Sequence, residues 1–300
     1  MTQRTLSKII IGLIGICALL YINIFSISFG VDLIIVTLLF IALLLREPVQ
    51  FLKDWFPPVA AFYLYEFLRG NAENIAFSLN FHLQIQSIID LEKTIFFFLD
   101  NVPSVVLQQT LSPDVHVTAW YDYILFFFYS SFFWFWLGAA FVIWVYKRKY
   151  FKRYMWGLVG FSLVGVLVFI LIPTAPPWYA AGQGHLPDLQ RILWINDYLP
   201  SNYATIVNAY GRNDFAAIPS FHVAWPLFAS LYLVKLFGKK LIPIFIFPAL
   251  VAFATWYGAE HYVIDSVVGA GFAITGFYIS YNWESVSKRI SQFFSSLVAR

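Results

Sequence analysis

A chain of 300 residues that is 60% hydrophobic, 21% aromatic and only 12% charged falls far below the roughly 25% charged share of a soluble domain and reads as a membrane protein. The net charge of +3 makes no case for a nucleic-acid partner. The single cysteine, Cys17, excludes a disulfide within the chain.

A helix needs about 20 apolar residues to cross a bilayer. Eight candidates meet or approach that length: Ile9–Ser28, Val31–Leu45, Phe51–Leu68, Tyr121–Tyr146, Tyr154–Ile172, Pro219–Leu236, Leu241–Tyr257 and Ala259–Tyr281. Arg4 and Lys8 before the first resemble the start of a signal peptide. The apolar run is longer than a signal core and continues into a second span, so it reads as an anchor. The expected organisation is an N-terminal pair of spans in residues 1–50, a larger membrane domain in 51–285 and a cytoplasmic tail in 286–300.

Two long connections separate the spans, Arg69 to Trp120 and Pro173 to Ile218. Loops of this length inside a bundle are functional or carry elements of their own. In the first, Ile85, Ile88, Ile89, Ile95 and Phe96 recur at helical spacing, which predicts a helix lying on the membrane surface. The aromatic run Phe126 to Trp136 reads as lipid-facing packing. Pro173 to Pro177 cannot prolong the fifth span as a helix, and predicts a stiff strap ending in Trp178 and Tyr179 at the interface.

Of the 19 lysines and arginines, only Arg69, Lys93, Arg191 and Arg212 fall on the side opposite the amino terminus. Cytoplasmic loops carry the basic excess, so both termini are expected in the cytoplasm and both long connections outside. The cluster Lys147 to Arg153 fits this topology; an anionic-lipid site is its other reading.

His222 opens the sixth span and His261 opens the eighth. The separation of 39 positions is what two spans and a tight turn require, so both imidazoles should meet at the outer face. An ionisable group inside a span is functional by default, because lipid penalises it heavily. His261 and Asp265, four apart on an expected helix, share a face. A carboxylate bound to one imidazole nitrogen fixes the tautomer and leaves the other as a free lone pair, which prepares a nucleophile, while His222 is available as general acid. A third metal ligand of the right type is missing nearby, so no metal or other cofactor is expected. Glu260 is expected to point away from His261. Ser220 as a nucleophile with His222 as its base is disfavoured, since residues two apart on a helix diverge and Pro-Ser at a helix start reads as a cap.

Pro219-Ser-Phe-His222 and His261-Tyr-Val-Ile-Asp265 resemble the second and third motifs of the type 2 phosphatidic acid phosphatase superfamily, usually PSGH and SRxxxxxHxxxD. The resemblance implies an all-α polytopic bundle, with a six-helix core plus two N-terminal spans here, that transfers phosphoryl groups from lipid phosphates through a phosphohistidine. It implies His261 as nucleophile, Asp265 as its orienting partner and His222 as general acid. The chain departs from the pattern at Phe221, where the motif has glycine, and at Ala254 and Thr255, where it has serine and arginine. The superfamily's usual first motif is absent. In its place Ile172-Pro-Thr-Ala-Pro-Pro-Trp-Tyr179, with Tyr65-Glu-Phe-Leu-Arg-Gly70 earlier, resembles the inositol phosphorylceramide synthase branch. That branch implies transfer of phosphoinositol from a phospholipid to a lipid hydroxyl, with membrane lipids as the partners; with water as acceptor the same residues make a lipid phosphatase.

Phosphoryl transfer needs donors aimed at the phosphate oxygens. The expected set is the helix start at Ser220, a second helix start near Glu260, Tyr179 on the strap, and Arg69 and Arg212 in place of the arginine missing at Thr255. Arg69 also reads as an ion-pair partner of Glu66, Arg212 as a loop charge and Arg191 as a surface residue. His82, His116 and His185 in the outer loops receive no role.

Overall fold

The computed structural model describes residues 31–112, 119–194 and 213–298, and every regular element in them is helical. The candidate span Ile9–Ser28, together with Cys17, His116 and Arg212, lies outside the described residues.

The first described helices are α1 (Val31–Leu44) and α2 (Pro48–Ser78). Pro48 suits the first turn of α2, where its missing N–H would have no helical partner. The 31 residues of α2 span about 46 Å, more than the roughly 30 Å of a hydrocarbon core. It therefore outruns the expected span Phe51–Leu68 and carries Arg69 and Glu73 beyond it.

The expected span Tyr121–Tyr146 is two helices, α5 (Trp120–Ser130) and α6 (Phe132–Tyr146), bent by 46°. Before them come two short outer helices, α3 (Gln86–Ile95) and α4 (Pro103–Leu111). After them come α7 (Arg148–Leu171), the one-turn α8 (Pro177–Gly182), α9 (Phe221–Phe237), α10 (Ile246–Tyr257, entered through a 3-10 turn at Lys239–Phe245), α11 (Val263–Tyr281) and α12 (Trp283–Val298). Three of these segments, Arg148–Leu171, Lys239–Tyr257 and Val263–Tyr281, are long and apolar enough to cross a membrane singly, and the bent pair makes a fourth. The protein is an integral membrane protein.

Close helix packing in lipid depends on small residues, because apolar burial gives no net gain there. On α11 the buried positions Gly269, Ala273, Gly276 and Ser280 recur at helical spacing and form a stripe that lets α7 and α9 approach. A Cβ at Gly269 would collide with the backbone carbonyl of Ser220, and one at Gly276 with the ring of Phe161. Around this contact the core is aromatic. Trp225 on α9 stacks on Phe221 (5.5 Å) and Phe132 (5.8 Å) and donates its indole N–H to Ser162 Oγ at 2.9 Å. At the basic end Arg148 pairs with Glu47 and Arg153 with Glu284, so part of the Lys147–Arg153 cluster joins helices. The expected tail, in its described part, belongs to α12.

Two expectations about the outer region change. The apolar face of α3 is divided: Ile88 and Ile89 pack with Val102, Val105, Ala180 and Tyr262 as part of a protein core, while Leu91 and Ile95 stay exposed. The aromatic run Phe126 to Trp136 is not simply lipid-facing, since Tyr129, Phe132 and Trp136 are buried inward. The strap is present and braced on both sides. Gln84 N–H donates to Pro173 O (2.8 Å), Ala175 N–H to Gln84 O (3.0 Å) and Thr174 N–H to Phe215 O (2.9 Å).

Candidate active site

The turn between α10 and α11 sets one side of the site. Glu260 N–H reaches back to Thr255 O (2.9 Å) and Ala259 N–H to Trp256 O (3.2 Å), with Ala259 at φ 58°. This is a Schellman ending, usually built on glycine because a Cβ strains the left-handed conformation. The turn delays the next helix, so His261 is not on it as expected: α11 begins at Val263. The contact with Asp265 forms by capping instead. Asp265, in the first turn, folds back so that one carboxylate oxygen, Oδ2, accepts the Tyr262 N–H (2.9 Å) and lies 3.2 Å from His261 Nδ1.

His222 comes from the first turn of α9, where Ser220 is the N-cap residue. Its Nδ1 lies 3.0 Å from His261 Nε2. One proton arrangement satisfies both contacts: His261 donates from Nδ1 to Asp265, and its Nε2 lone pair accepts from His222 Nδ1–H. The bend between α5 and α6 is what encloses the His222 ring. Tyr129, just before the break, stacks on it (5.0 Å, 17°), and Phe132, just after, packs at 4.5 Å.

Ser220 is fully buried; its N–H donates to the Asp265 carbonyl (3.0 Å), while its hydroxyl has no partner. The unused Asp265 Oδ1 is likewise buried without one. Of the two helix starts expected to hold an anion, that of α11 is already filled. Glu92 of α3 accepts from Val263 N–H (2.8 Å, Oε1) and Ile264 N–H (3.2 Å, Oε2).

Among the cations, Arg191 departs from the expectation, while Arg69 forms the ion pair with Glu66 that was one of its two readings. Thr255 contributes nothing outward: it is fully buried, its hydroxyl bonds Ala252 O and its carbonyl accepts from Glu260 and His261. Arg69 binds Glu66 through Nε (3.1 Å) and Nη2 (2.9 Å) and has its carbonyl held by Asn213 Nδ2 (2.8 Å). Arg191, expected at the surface, grips both oxygens of Glu260 at 2.8 Å and stacks on Trp178 at 4.2 Å. Burial disfavours its charge, but the hydrogen bonds and attraction of Glu260 prevail and raise its pKa. Tyr179 lies edge-on to Phe215 at 4.9 Å, with no described contact to either histidine. His185 Nδ1 meets Gln86 Oε1 at 3.1 Å.

Sequence reading missed Glu92, the Arg191–Glu260 pair and Tyr129. A buried acid among the isoleucines of α3 was the one visible signal, since Glu92 follows Ile88 by one helical turn.

An all-helical membrane bundle that brings a histidine–histidine–aspartate chain to one end defines a class of membrane enzyme sites. The sequence profile of the PAP2 superfamily matches residues 89–279, well over half of the chain, and the chain belongs to that superfamily. A phosphoinositol dihydroceramide synthase of Bacteroides thetaiotaomicron is 29% identical over 208 residues, 65% of this chain and 66% of that protein. The inositol phosphorylceramide synthase catalytic subunits of Saccharomyces cerevisiae and Schizosaccharomyces pombe are each 27% identical, over 57% and 39% of this chain. The chain spans just under two thirds of the bacterial protein and 43% and 29% of the fungal ones. No solved structure gives a significant match.

Proposed function

We propose that the protein is a lipid phosphotransferase that moves a phosphoinositol-type headgroup from a phospholipid to the hydroxyl of a ceramide-like lipid. The observation that carries this reading is the chain of contacts His222 Nδ1–His261 Nε2–Asp265 Oδ2. The relatives named for phosphoinositol transfer to ceramides supply the substrate class.

In the first step the Nε2 lone pair of His261 attacks phosphorus and the bond to the diacylglycerol oxygen breaks. That oxygen takes a proton from His222. Asp265 holds Nδ1–H and balances the charge that forms on the ring. In the second step His222 removes the acceptor hydroxyl's proton, the new P–O bond forms and the P–N bond breaks, which restores His261. The incoming phosphate oxygens displace the direct contact between the histidines. The free Ser220 hydroxyl and the start of α9 supply donors, with Arg69, Arg212 and Tyr179 assigned to the headgroup. The basic loops support an extracytoplasmic site with both termini cytoplasmic.

The test is to supply purified protein in detergent with labelled phosphatidylinositol and ceramide, diacylglycerol or water as acceptor. Transfer of label to ceramide, abolished in His261→Ala, is the expected result. Release of free phosphate from phosphatidic acid, with no group transfer from phosphatidylinositol, would make the protein a phosphatase. No reaction with any acceptor, or full activity in His261→Ala, would defeat the reading.

A further inference from the structure

Glu92 is fully buried on a short outer helix, yet its carboxylate reaches the chain 171 and 172 positions later to accept the first two N–H groups of α11. These amides directly follow His261 and Tyr262. Asp265 accepts the N–H just before them, that of Tyr262. Three successive donors are thus divided between two carboxylates, and Asp265 remains turned toward His261. Without Glu92 the two amides would be left in a buried layer, and Asp265 would be the nearest carboxylate able to turn to them. The loss of Asp265 from the imidazole would follow.

We infer that Glu92 is a positioning residue: by occupying the start of α11 it keeps Asp265 on His261, and it excludes the substrate phosphate from that helix end so that the start of α9 receives it. A helix start attracts one anion well, and two starts open to the same phosphate would place phosphorus in two positions relative to His261 Nε2. Glu92 removes one. The two N–H groups favour its charged form, while its burial opposes it. Burial pushes its pKa up to about 7, against the lowering by the Val263 and Ile264 N–H groups, with Asp265 raising it further. Tyr262 is the other ionisable group acting with it at the start of α11. On α3 itself Asp90 and Lys93 are exposed, and His185, from the loop after α8, is held by Gln86.

The inference rests on the transferase reading for its kinetic readout, so the experiment includes one measurement that needs no turnover. Glu92→Gln and Glu92→Ala are compared with the full-length protein for kcat, KM and pH profile in the transfer assay. Hydrogen exchange of the peptide containing Val263 and Ile264 is followed by mass spectrometry. Glu92→Gln keeps the shape but offers one acceptor oxygen instead of two. Its kcat should fall about tenfold or more, as for other small misplacements of a reacting group. Its KM should stay within about twofold, because ground-state binding is little changed. The low-pH fall of kcat that protonation of Glu92 causes should be absent, and exchange at 263–264 should rise in Glu92→Ala. Unchanged exchange in Glu92→Ala overturns the inference even with an enzyme inactive on every donor, an outcome that separately defeats the transferase reading. A kcat loss that merely follows the folded fraction overturns it too.

Discussion

The ring of Phe221 fills the space left by Gly165 on α7: a Cβ at Gly165 would fall inside contact distance of the ring tip, and the ring is held by Trp225 at 5.5 Å, Phe169 at 5.5 Å and Tyr65 at 5.7 Å. The residue that departs from the usual motif glycine is thus absorbed by a glycine on a neighbouring helix. Gly165→Ala should destabilise the protein by about 1–3 kcal/mol, the usual effect of overpacking. The measurement is thermal unfolding in detergent; Phe221→Leu in the same chain should recover part of the loss.

Gly269 makes the corresponding contact with backbone. A methyl there would press on the carbonyl of Ser220, whose own N–H donates to the Asp265 carbonyl at 3.0 Å. A main-chain atom cannot move aside as a flexible side chain can. Gly269→Ala should therefore shift the start of α9, and with it His222, lowering kcat about tenfold or more in protein that remains folded by circular dichroism.

The Arg191–Glu260 pair is bidentate and mostly buried, with 20% and 9% of the side chains exposed. Removing one partner of such a pair leaves a poorly solvated charge. Glu260→Gln and Arg191→Met should each lower stability by about 2–3 kcal/mol. The double variant should lose less than the sum, as a double-mutant cycle in chemical denaturant would register.

The pKa of Glu92, raised to about 7, also makes a prediction about stability. A group whose folded pKa exceeds its unfolded value adds stability that is complete below the unfolded pKa and disappears as pH rises through the folded one. For Glu92 that window runs from the ordinary carboxylate range up to about 7. Wild-type thermal stability should fall relative to Glu92→Gln as pH rises from 5 to 8. Parallel curves for the two proteins would contradict it.

Much of the bundle was legible in the sequence because lipid imposes one strong rule, long apolar helices with basic residues on one side. The approach of His222 to His261 follows from the same rule, since two spans and a turn fix their separation. What escaped depends on contacts without sequence periodicity. Glu92 bonds to backbone amides of residues far along the chain, and main-chain donors leave no signature. The late start of α11 follows from the turn at Ala259, where an alanine occupies a glycine-type conformation. The inward aromatics Tyr129 and Phe132 were disguised by a run of similar residues, and only the bend at Ser131 separates them from neighbours turned the other way.

The proposed transfer requires His261 to carry the phosphoinositol group between donor and acceptor. Incubating the protein with phosphorus-labelled phosphatidylinositol without acceptor, then quenching in alkali and digesting, tests it most directly. Label is expected on the peptide containing His261, stable to base and lost in acid, and absent from His261→Ala and Asp265→Ala. Added ceramide should remove the label. Transfer to ceramide at the full rate with no label on the protein, or with label on Ser220, would contradict it.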